Sequence, residues 1–112
     1  MTAEEVFEEL CQKYGDDFIW RLLPFSDKYF VNELRLELGE HCLFDEPIYA
    51  VEKCEANDDV LYVCHNDGKN DIYRIYHLTY NHSSRDLPKY IELIGIDEVK
   101  QYIEQQYIEN YL

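Results

Sequence analysis

A chain of 112 residues is long enough to bury a hydrophobic core as one domain without a disulfide or metal staple, and 46% hydrophobic residues with eleven tyrosines exclude a disordered chain. Ten Lys and Arg stand against 24 Asp and Glu, a formal charge of −14, so the field around the protein repels phosphate backbones and anionic lipid and argues against nucleic-acid and membrane-surface binding. The same field draws in a basic partner, although its plainer reading is solubility.

The amino terminus, MTAEEVFEEL, lacks a basic stretch followed by an apolar one, and no window approaches the roughly 20 apolar residues of a membrane span. A cytoplasmic chain is the expectation. A helix opens there, with Thr2 as cap, Glu4 and Glu5 in the first turn where the helix dipole favours them, and Gly15 as its stop. Val6, Phe7, Leu10, Cys11 and Tyr14 share one apolar stripe at helical spacing. Pro24 and Asp27 then divide the next segment into a short strand, residues 18–23, and a second helix, residues 27–38, ended by Gly39. Its inner face is read as Phe30, Val31, Leu34 and Leu38, with Asn32, Glu33, Arg35 and Glu37 toward water.

From Pro47 the period changes to two. IYAVEKC, DVLYVCH, IYRIYHLTY and KYIELI read as successive strands, the second and third joined by a polar turn holding Gly68, the third and fourth by the longer NHSSRDLP loop. Helical spacing returns over residues 96–111, where Ile96, Val99, Ile103 and Tyr107 recur, with Tyr102, Ile108 and Tyr111 widening the stripe. The expected fold is therefore α+β: a single domain, residues 1–112, with an antiparallel sheet of four or five strands and amino-terminal, middle and carboxy-terminal helices packed on it.

Alternation along the third long strand puts Tyr73, Ile75, His77 and Thr79 on one face and Ile72, Arg74, Tyr76, Leu78 and Tyr80 on the other. His77 and Thr79 then read either as a buried, hydrogen-bonded structural pair or as the floor of a small-molecule pocket with Tyr80. His41, Cys42, Cys54, Cys64 and His65 contain zinc-ligand types, but no C-x-x-C or H-x-x-x-H spacing joins them, and reduced thiols without a metal are expected. Asp58 and Asp59 precede an apolar run, where Asp bonds local backbone amides, so they need no acid–base role. With no phosphate loop and no nucleophile elbow, neither a catalytic residue nor a cofactor is assigned.

Tyrosine is the most suggestive residue, because each hydroxyl must reach water or a partner and so many cannot all lie in a small core. Tyr76, His77, Thr79 and Tyr80, the Asp58–Asp59 pair, Glu92, Tyr102 and Tyr107 are the candidate binding residues. Acidic tyrosine-rich surfaces suit a basic protein.

FVNELRLELGEHCLF, NDDVLYVCHNDG and YRIYHLTY, followed by LPKYIEL and a terminal helix, resemble a family of small, uncharacterised bacterial cytosolic proteins with a DDVL strand and an HLT strand ending in an aromatic. In that family Trp commonly follows the HLT and Pro the helix His, where this chain has Tyr80 and Cys42. The resemblance spans roughly residues 30–80 and implies no catalytic residues. Shortness, acidity and helices around an antiparallel sheet are also similar to bacterial toxin-immunity proteins. The expected function is accordingly non-enzymatic binding of a basic, toxin-like protein, with small-molecule binding near His77 as the alternative.

Overall fold

The structure, a computed structural model, describes residues 3–15, 18–24, 27–38, 48–65, 71–80 and 88–111. Helix α1, Ala3–Tyr14, ends as its sequence demands: Gly15 takes φ 83° and its N–H closes on the Cys11 carbonyl at 2.8 Å, a left-handed cap that costs a residue without Cβ little. Strand β1, Trp20–Leu22, follows, and then helix α2, Tyr29–Leu38, whose Asp27 caps it by accepting the Phe30 N–H at 3.3 Å. Strands β2, Tyr49–Cys54, β3, Asp59–His65, β4, Ile72–His77, and β5, Tyr90–Ile94, precede helix α3, Ile96–Tyr111. The expected cap at Thr2, the helix stop at Gly39, the turn at residues 66–70 and the loop at residues 81–87 lie outside the described residues.

The five strands form one antiparallel sheet in the order β1-β2-β3-β4-β5, with α2 inserted between β1 and β2. This is the α+β fold expected, with five strands and all three helices. One face of the sheet carries Trp20, Cys54, Leu61, Tyr73 and Ile75 against Val6 and Leu10 of α1 and Val99, Ile103 and Tyr107 of α3. Ala50, Val60, Tyr62 and Tyr76 on the other face pack with Phe30, Leu34 and Leu38 of α2. Being covered on both sides, central β3 buries the consecutive residues Val60, Leu61 and Tyr62, which is why it reads as an unbroken apolar run. The Tyr62 hydroxyl donates to the Phe30 carbonyl at 2.7 Å and pins α2 to the sheet.

Helix α2 reaches over β2 and leaves the far side of its face open: Tyr90, Glu92 and Ile94 of β5, which point that way, are all exposed. Two acidic side chains lie where charge is costly. Glu33, expected in water, is only 8% exposed on α2, and Glu52 is 1% exposed on β2. A register shift between Ala50 and Glu52 decides which face buries the second: one extra residue in β2 reverses its alternation, so that Ala50 faces α2 while Glu52 and Cys54 turn together toward α1 and α3.

Candidate functional site

The residues after β4 and the outer face of α2 make the most constrained polar arrangement among the described residues. Glu37 Oε1 accepts both the N–H and the hydroxyl of Thr79 at 2.7 Å, and Oε2 accepts the Tyr80 N–H at 3.2 Å. Burial works to raise the Glu37 carboxyl, but hydrogen bonds with Glu33, one helical turn before it, and with Thr79 and Tyr80 outweigh it and hold the group below the ordinary carboxylate range. Held in this way, Tyr80 adopts φ 55°, a left-handed conformation that costs a residue with a Cβ about 1–2 kcal/mol. Its ring stays 41% exposed, with Tyr29, Asp58, Glu33 and Glu37 as electrostatic neighbours.

A row of rings runs from there across the sheet. Buried Tyr62 meets Tyr76 at 5.8 Å between ring centres, and Tyr76 meets Tyr90 at 5.0 Å. Arg74 ties the row down: Nη1 donates to the Tyr76 hydroxyl at 2.9 Å, Nε pairs with Glu92 at 2.9 Å, and the guanidinium lies 4.5 Å from the Tyr90 ring centre. Tyr90, 51% exposed, ends the row, and Tyr29, 63% exposed, stands on α2 with its ring 4.9 Å from Phe30 and near Tyr80. This side of the molecule therefore offers rigid aromatic rings beside carboxylates.

Of the candidate binding residues, Tyr80, Glu92, Asp58 and Thr79 are exposed on or beside that side. Tyr76 and Tyr107 are core instead. Tyr107 is buried under the sheet, its ring 4.7 Å from Tyr14 and 5.4 Å from Phe18, because helical spacing serves packing before it serves contact. His77 and Thr79 do not share a face: β4 ends at His77, and the chain turns so that Thr79 reaches α2. Nor does His77 lie under a helix. Exposed, it bonds Asp59 Oδ1 through Nδ1 at 2.8 Å across the β3–β4 ladder.

Asp59, His77 and Tyr102 do converge, with Lys89 and Tyr90, on a shallow hollow of about 130 Å³. Small-molecule sites enclose roughly 300–1,000 Å³, and Thr79 and Tyr80 do not line this one. Asp58 and Asp59 behave as strand-entry residues: the Asp58 carbonyl accepts the Leu78 N–H, and the Asp59 N–H is bonded by Asn57 Oδ1 at 2.8 Å. For a metal, His41 and Cys42 lie outside the described residues, and among the described residues no group of three or more His, Cys, Asp or Glu could hold an ion. Cys11 and Cys54 are free thiols, and burial pushes the Cys54 thiol up, away from its reactive form.

Sequence reading missed Tyr29, Glu33 and Glu37. The signal was there in part, since Glu33 and Glu37 stand four apart on one helix face, but the partner that gives them meaning lies 42 residues away. Among the described residues no helix is long and apolar enough to cross a membrane. Compared with protein-family models, curated proteins and solved structures, the chain gives no match.

Proposed function

We propose that the protein is a non-enzymatic, acidic binding module that docks a basic face of another protein, in its sharpest form as a cytoplasmic immunity or antitoxin protein of the bacterial kind. The observation that carries this reading is the exposure of Tyr29, Tyr80 and Tyr90 among the carboxylates Glu37, Asp58 and Glu92 on the α2 side of the sheet. Tyrosine supplies large contact area at little entropic cost, and Tyr80 is already held in place by Glu37, so little ordering remains for binding to bring about. The charge of −14 steers a basic partner and sets the salt dependence of capture. Against the small-molecule alternative stands the size of the hollow beside His77, which suits a few waters rather than a metabolite.

Association kinetics with a basic partner, beginning with the product of the neighbouring gene, test the proposal. The on-rate should fall about tenfold or more as salt rises from low to several times physiological strength, where the Debye length shrinks from about 10 Å toward 3 Å. Tyr80→Ala and Tyr90→Ala should each speed dissociation, and Gln12→Ala, exposed on α1, should leave the complex unchanged. A salt-independent on-rate, or tyrosine variants that bind as tightly as the parent, overturns it.

A further inference from the structure

Hydrogen bonding along β5 fixes which of its backbone groups face outward. The Gly95 N–H bonds the Asp71 carbonyl at 2.8 Å, and the His77 N–H bonds the Lys89 carbonyl at 2.9 Å. In the same register, Tyr73/Leu93 and Ile75/Ile91 are the other closely bonded pairs of the ladder. Ile72/Ile94, Arg74/Glu92 and Tyr76/Tyr90 are the pairs between them, so Tyr90, Glu92 and Ile94 aim their N–H and C=O groups away from β4. The Ile94 N–H is an independent witness, because Glu98 reaches back from the first turn of α3 to accept it at 2.6 Å. Among the described residues no hydrogen bond takes the outward groups of Tyr90 and Glu92. Edge groups left this way form a template for another strand.

Beside that edge runs a groove of about 610 Å³ between β5 and α3, with Leu93, Tyr102 and Ile108 as apolar walls and Glu98 and Glu104 as its charged residues. Among the described residues no Lys or Arg lines it, although Lys13 of α1 pairs with Glu104 at 2.7 Å. A strand laid against β5 sends alternate side chains into the groove and the others over Tyr90, Glu92 and Ile94, since successive side chains of a strand point to opposite faces. Such a cleft, with an edge strand on one side and a helix on the other, is the geometry of peptide recognition by strand addition.

We propose that the outer edge of β5 accepts an extended basic segment of the partner protein as a sixth strand, lying in the cleft between β5 and α3 with Glu98 closing the Ile94 end. This rests on the protein-binding reading above and names how, and by what, the surface is met. The occupant is basic because the whole chain carries −14 and, of the groove's two carboxylates, Lys13 offsets only Glu104, at 2.7 Å. A second copy fits poorly. Pairing β5 with itself about a two-fold at Glu92 would set Glu92 opposite Glu92 and bring two chains of −14 together.

A capped heptapeptide alternating lysine and valine, its glutamate–valine counterpart, and two analogues of the first bearing backbone N-methyl groups on either the lysines or the valines provide the test with the intact protein. Binding and amide exchange are followed by NMR. The lysine peptide should bind, slow exchange of the Tyr90 and Glu92 amides about tenfold near saturation, and shift groove residues such as Tyr102. The glutamate peptide should not bind. One methylated analogue should bind as the parent does and the other should lose affinity about tenfold or more, because only alternate amides of an added strand face β5. Equal binding by both analogues overturns strand addition, as does a dimer in sedimentation whose Tyr90 and Glu92 amides are protected without peptide. Shifts confined to Tyr29 and Tyr80 overturn it while leaving the protein-binding reading in place, and no response at either location counts against both.

Discussion

Burial of Glu52 has a thermodynamic consequence that can be measured without knowing the partner. Its side chain is 1% exposed beneath α1 and α3, paired across the sheet with Leu22 and Leu61, and among the described residues Oε2 has no hydrogen-bond partner. Burial alone pushes the carboxyl from 4.5 up to about 8. The folded chain thus keeps a proton that the unfolded chain gives up near 4.5, and stability falls as pH rises between the two values. This contribution is fully present below the unfolded value, declines by about 1.4 kcal/mol per pH unit, and is lost once pH passes the folded value. Over the interval from 4.5 to 8 the loss is about 5 kcal/mol, of which about 3 kcal/mol has accrued by neutrality. Domains of this size are stable by about 5–15 kcal/mol in all, so an effect of this size is readily measured. Glu52→Gln keeps the shape and removes the ionisation. Urea unfolding of both proteins between pH 5 and pH 9 should show the variant gaining on the parent by about 1.4 kcal/mol per unit and levelling off above about pH 8. Distant titrating groups cancel in that difference. Two parallel stability curves would refute the reasoning.

Tyr80→Gly should separate binding from stability: relief of φ 55° raises stability by up to about 1 kcal/mol in urea unfolding, while loss of the ring weakens the complex. Glu37→Gln should cost about 1 kcal/mol at neutral pH through weakened bonds to Thr79 and Tyr80. Since the folded Glu37 carboxyl is held below 4.5, its contribution is present above that value and is lost as pH falls through the lowered one, so variant and parent should converge in acid. His77→Ala should cost less than about 1 kcal/mol, because its bond to Asp59 is made by an exposed ring. A loss several times larger would show that the Asp59 contact organises the end of the β3–β4 ladder.

What could be read from the chain was what neighbouring residues decide among themselves. Val6 and Leu10 on α1, and Val99, Ile103 and Tyr107 on α3, recur at helical spacing and are the residues that meet the sheet. The period of two marked the strands because half-buried and fully buried strands both favour Val, Ile and Tyr. Failures arose where distant parts of the fold overruled the local pattern. A bulge in β2 reverses the phase of Glu52 and Cys54, and no count by twos through YAVEKC foresees it. HLTY continues the strand pattern of β4, yet Glu37 captures Thr79 and Tyr80 from 42 and 43 residues away and turns the chain left-handed. The same distinction separates core from surface among the tyrosines. Tyr62, Tyr76 and Tyr107 are fixed by packing that periodicity reflects, whereas Tyr90 is exposed because α2 stops short of β5, Tyr29 at the first turn of α2, and Tyr80 where Glu37 holds the chain past the end of β4. On the proposed reading, the charge of −14 sets the sign of a partner and nothing of its place. In the same proposal, place comes from the uncovered part of the sheet, where aromatic rings, carboxylates and the outward backbone of β5 adjoin, and a basic strand would use all three.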